Sequence, residues 1–103
     1  MENIQIIRLI NNEEIMAEMR EDDTHYILTN PVRLAIMQGP DGKPNVGFAP
    51  FPTHAEQKKD YEISVAKKHV IYQYEPMQDY INNYNQIFGA GIVLPPAKQL
   101  ITG

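Results

Sequence analysis

The residue types that could do chemistry are few and scattered along this chain. Three histidines, His25, His54 and His69, lie on separate segments, and none has a second ligand at helical spacing. A metal site is therefore not expected. Cysteine is absent, which removes thiolate nucleophiles, disulfides and Cys-based zinc sites. The single serine, Ser64, sits mid-strand between Ile63 and Val65, a poor place for an activated nucleophile. Gly89-Ala90-Gly91 follows a helical stripe and does not open one, so it is no phosphate cradle. The acid pairs Glu13-Glu14 and Asp22-Asp23 suit solvated turns better than an acid–base dyad. No catalytic residue, no cofactor and no enzymatic activity are expected.

Two constellations suit binding. Asp22 and Asp23 stand at a polar turn just before His25 and Tyr26. Aspartate in a turn ordinarily bonds its own backbone. The same carboxylate can accept hydrogen bonds from base edges while a neighbouring ring stacks on a base. The second constellation is Lys67-Lys68-His69 at a hairpin tip. A lysine pair there is usually a solubilising turn, but it also neutralises phosphate. Tyr61, Tyr72, Tyr74, Tyr80 and Tyr84 suit core and subunit contacts, because tyrosine buries area while keeping a polar tip.

The elements that must position these groups are short strands. From Arg8 to Arg33 the chain reads as strand segments joined by tight polar turns at Asn11-Asn12 and at Arg20 to Asp23. Ile15, Ala17 and Met19 alternate with Glu14, Glu18 and Arg20, the period-2 pattern of a strand with one buried face. Tyr26, Leu28, Val32, Leu34 and Ile36 fall at even steps on one face of a long third segment, interrupted by Asn30-Pro31. A bend midway lets one strand serve both halves of a small barrel. The first strand, Ile4 to Ile10, is apolar on both sides because Ile6 and Ile7 point opposite ways. Such a strand is covered twice, either by a helix of the same chain or by another subunit.

Gln38 to Asn45, with Asp41-Gly42 at its centre, is an exposed hairpin tip, and Val46 to Phe51 returns as a strand weakened by proline. Residues 53–60 form a polar connection. Tyr61, Ile63 and Val65 then alternate with polar neighbours, and Val70, Tyr72 and Tyr74 do so in the next strand. Glu75-Pro76 opens a helix whose stripe is Met77, Tyr80, Ile81, Tyr84, Ile87 and Phe88, with Gly89 as its stop.

Two of these stretches resemble a known family. RLINNEEIMAEMREDDTHYILTNPVR looks like the first motif of Sm and LSm proteins, the ring-forming RNA binders that include bacterial Hfq. Leu9 and Ile15 fill apolar positions, and Asn12 stands where a turn glycine is usual. Asp22 or Asp23 takes the acidic loop position, with His25 or Tyr26 near the usual Asn. YEISVAKKHVIYQY resembles the second motif, with Val65, Ala66 and Lys67 where Ile-Arg-Gly is usual and Val70 opening the last strand. The chain is similar to divergent Sm-like proteins of marine phages. The resemblance implies a homo-oligomeric ring of about five to seven subunits, closed by a heterologous contact. It also implies single-stranded RNA, or DNA, as the ligand. Asp22, Asp23, His25, Tyr26, Lys67, Lys68 and His69 would then contact nucleic acid. Tyr61, Ile63, Val65, Val70, Ile71 and Tyr72 would form the subunit interface, because their strands offer short apolar edges.

Composition sets the outer bounds. A chain of 103 residues with 43% hydrophobic and 21% charged residues is one ordinary globular domain. Net charge is −4, with seven acids and two bases in residues 1–30 against six acids and seven bases beyond them. A general nucleic-acid coat is thereby disfavoured, whereas a local basic site is not. No apolar run approaches the ~20 residues of a spanning helix, and the acidic, polar start is unlike a signal peptide. No membrane partner is expected. A cytoplasmic location is, which means the host cytoplasm for a phage protein. The expected architecture is mostly β. A small, strongly bent, five-stranded antiparallel Sm-like barrel occupies 1–74, followed by a C-terminal helix over 75–89 and an extended tail over 90–103.

Overall fold

The computed structural model describes residues 3–89, so the tail expected over 90–103 lies outside the described residues. Six antiparallel strands form one sheet, followed by one helix. The strands are β1 (Ile4–Leu9), β2 (Glu14–Glu21), β3 (His25–Gln38), β4 (Pro44–Pro50), β5 (Glu62–Ala66) and β6 (Val70–Tyr74). A 3-10 turn, Lys67–His69, links β5 to β6, and helix α1 spans Gln78–Gly89. Neighbours run in the order β4, β3, β2, β1, β6, and β5 also pairs with β3. Among the described residues the strand count is six against the five expected, and the sheet is not closed into a barrel, because β5 and β6 do not pair.

The turn between β1 and β2 depends on Asn12, whose φ of 73° is the left-handed conformation usually given to glycine. Its amide donates to the Leu9 carbonyl at 2.8 Å. The second turn is tighter than the sequence implies. Arg20 and Glu21 continue β2, paired with Ile27 and Tyr26, and only Asp22 to Thr24 reverse the chain.

The long strand β3 lends one edge to two partners. Residues His25 to Thr29 pair with β5, and Val32 to Gln38 pair with β4. The changeover is Asn30-Pro31. Across β2 the register passes from Met16 opposite Val32 to Glu18 opposite Thr29, so two residues of β3 face Ala17 alone. This bulge bends the strand. Asn30 takes φ 51° there and is buried. A β-branched residue in that conformation is strained. Asn30→Val should lower unfolding free energy by about 1–2 kcal/mol in a urea titration, whereas Asn30→Gly should be nearly neutral.

The two-sided β1 is covered twice, and a helix of the same chain provides one of the covers. Ile4 and Ile6 join Met16, Val32, Phe48 and Tyr84 in an outer cluster, against which Tyr80, Ile81, Ile87 and Phe88 of α1 pack. Ile7 and Leu9 join Ile15, Ala17, Met19 and Leu28 in an inner cluster, closed over by Tyr26, Phe51, Ile63, Val65 and Val70. Helix α1 begins at Gln78, three residues later than the start expected at Glu75. The Met77 carbonyl accepts the first helical bonds, from Tyr80 at 3.0 Å and Ile81 at 3.2 Å, so Met77 caps the helix and its side chain is 69% exposed. Ile36 is also exposed, at 75%, although it lines one cleft with Tyr80 of α1.

Candidate nucleic-acid interface

The 3-10 turn draws the two sequence constellations together. At one end the Lys67 amide donates to the Thr24 carbonyl at 2.9 Å, and at the other the Ile10 amide donates to the His69 carbonyl at 2.9 Å. Three residues thus bridge from the β2–β3 turn to the end of β1. This brings Asp22, His25, Tyr26 and Lys67 to one end of the sheet, with Lys68 and His69 following on the same bridge.

Each group there has a defined partner or none. The Asp22 carboxylate accepts the backbone amides of Thr24 at 2.9 Å and His25 at 2.8 Å. Those two amides, Thr24 first, hold its pKa below the ordinary aspartate value. Asp22 therefore builds the turn through one oxygen. The Thr24 hydroxyl and His25 Nδ1 lie 2.7 Å apart. The Lys67 ammonium donates to Glu21 Oε1 at 2.6 Å and stands 5.4 Å from the centre of the Tyr26 ring. Glu21 is the main cause of a raised Lys67 pKa. Asp23, Lys68 and His69 are exposed, and among the described residues the Lys68 and His69 side chains have no hydrogen bond or ion pair. The acids Glu21, Asp22 and Asp23 outnumber the two lysines at this end.

The expected interface residues divide into two sets. Ile63, Val65 and Val70 turn their side chains into the inner cluster. Tyr61 is half-buried, and its carbonyl accepts the Asn30 amide at 2.8 Å. Ile71 and Tyr72 are 52% and 46% exposed. Among the described residues β5 pairs only with β3, and β6 only with β1, so each keeps an outer edge. A contact between copies along these strands would use main-chain edges together with Ile71 and Tyr72.

Sequence patterns missed two features. The first is Glu21, placed in a turn from sequence but paired across the sheet with Tyr26 and bonded to Lys67. The second is a polar cluster on the helix side of the sheet. Glu14 accepts from Tyr74 at 3.1 Å and lies 3.5 Å from Arg8, while the Arg8 guanidinium reaches the Tyr72 hydroxyl at 3.4 Å. Burial, then the bond to Glu14, pushes the Tyr74 hydroxyl up to about 12. Its signal was available only as Arg8 and Glu14 standing opposite each other in the first hairpin. A cleft of about 210 Å³ lies beside it, between Tyr74, Tyr80, Ile36 and Val46.

Among the described residues no group of three or more His, Asp or Glu side chains could hold a metal ion, and no helix is long and apolar enough to cross a membrane. No protein-family model matches the chain, and no curated protein matches it. The likeness to Sm and LSm proteins rests on the residues of the two motifs.

Proposed function

We propose that this protein is a non-enzymatic, Sm-like homo-oligomeric ring that binds single-stranded nucleic acid, RNA or DNA, at the end of the sheet carrying Tyr26 and Lys67 to His69. One observation carries the proposal. Two segments distant in the chain place the Lys67 ammonium against the Tyr26 ring, with a second, unengaged lysine beside them. A ring face and adjacent cations are what an unstacked base and its phosphate need. A single pocket of this kind is weak, since stacking gives only ~1–3 kcal/mol per base. Repetition around a ring raises the effective concentration of later contacts, so an acidic chain can still bind usefully.

Lys68→Glu tests the proposal in a salt titration with a labelled single-stranded oligonucleotide. Parent affinity should fall steeply with salt. The variant should bind more weakly, with the slope shallower by about 0.7 for each phosphate that is no longer neutralised. Equal binding by a folded variant at every salt concentration would place the site elsewhere.

A second function, a structural or adaptor ring that binds protein and no nucleic acid, is favoured by exposed Ile71 and Tyr72 on a strand with an outer edge. Absence of any oligonucleotide binding by the parent at low salt selects it.

A further inference from the structure

Glu21 holds Lys67 in a particular way. Its carboxylate sits where a phosphate oxygen would sit on the ammonium, at 2.6 Å. The same ammonium stands over Tyr26, with its nitrogen 5.4 Å from the ring centre. One contact therefore occupies both the cation and the ring. Tyr26 lies directly opposite Glu21 in the β2–β3 ladder, and the Lys67 main chain is tied to Thr24, so the three side chains are held within reach of one another by backbone. Glu21 and Lys67 are both partly solvent-exposed, which leaves the contact weak enough to exchange.

We propose that Glu21 is a built-in competitor for the nucleic-acid site, a latch that a ligand bringing both a phosphate and an unstacked base opens most readily. The latch rests on the nucleic-acid function proposed above and adds a competing group to its site. Phosphate replaces the Glu21 carboxylate on Lys67, the ammonium moves off Tyr26, and the exposed ring accepts a base. A free anion can replace Glu21 but gains no stacking. A duplex presents phosphate but keeps its bases stacked. Single strands alone gain both contacts, so they recover the cost of displacing Glu21 most fully, while every ligand that uses Lys67 loses some affinity to it.

The test is a double-mutant cycle read by fluorescence anisotropy at low salt, with a labelled single-stranded RNA of mixed sequence and the matching duplex. Glu21→Gln should raise affinity for the single strand about two- to five-fold, the range an exposed ion pair supports. Asp23→Asn removes an acid from the adjoining turn without touching Lys67, and should give a smaller gain. In a Lys67→Met background the Glu21→Gln gain should vanish, because the group it releases is gone. The duplex, whose phosphate meets the same carboxylate on Lys67, should gain by the same factor or less, and a larger gain for the duplex would overturn the latch. An equal gain from Asp23→Asn, or a gain that survives in Lys67→Met, would mean that Glu21 acts only through overall charge, and the latch would fall while binding stood. Failure of the parent and every variant to bind would overturn the nucleic-acid function and the latch together.

Discussion

Tyr84→Ala should destabilise the protein by about 3–5 kcal/mol, the range for removing a large buried aromatic. Tyr84 has no exposed surface, packs edge-on to Phe48 and lies 4.7 Å from the ring of Phe88. Its hydroxyl does more than fill space. It accepts the Glu18 amide at 3.3 Å and reaches the Asn30 carbonyl at 2.8 Å and the Thr29 carbonyl at 3.1 Å. These are main-chain groups around the β3 bulge, where the ladder to β2 is interrupted. A buried amide or carbonyl left without a partner costs roughly 1–3 kcal/mol. Tyr84→Phe should therefore cost about that much despite keeping the ring. Urea unfolding followed by circular dichroism measures both variants. A Tyr84→Phe protein as stable as the parent would show that the bulge does not need the helix.

Ile71→Pro should reduce the proposed ring to single protomers. Arg8 pairs with Tyr72 and Leu9 with Val70, so Ile71 stands at a register shift with no residue of β1 opposite it. A proline there removes a backbone donor from an edge strand while sparing the paired positions on either side. Light scattering should give a multiple of the 11.8 kDa chain mass for the parent and the single chain mass for the variant. Near-parental melting of the variant would show that the protomer survives. A parent that is already monomeric at micromolar concentration would remove the ring altogether.

How far the fold could be read in advance depended on distance along the chain. The alternation through β2 identified its inner face, and Ile15, Ala17 and Met19 are indeed together in one cluster. The opposed Ile6 and Ile7 correctly demanded two covers for β1. Asn30-Pro31 marked the bend in β3. Period-2 patterning reports which side of a strand is buried, but not which strand lies alongside. It therefore could not show that β4 and β5 share one edge of β3, nor that Ile36 stays exposed. The candidate site was legible as two separate polar clusters. Their junction was not, because the Lys67 contacts with Glu21 and Tyr26 exist only once the 3-10 turn has crossed from one turn to another. Tyr84 read as an apolar stripe residue, and no sequence pattern reveals that its hydroxyl completes a bulge 54 positions away.

The position of β1 also bears on how the chain reaches this state. β1 is interior to the sheet, between β2 and β6, yet Arg8 and its neighbour Tyr72 are 64 residues apart. β1 and β2 can zip together as a local hairpin within microseconds. The β1–β6 ladder must instead wait for a long loop to close, and such non-local pairings slow folding. A ribosome would expose one edge of β1, with its isoleucines, until β6 had emerged. The acids crowded into the first 30 residues would keep that nascent segment soluble in the interval.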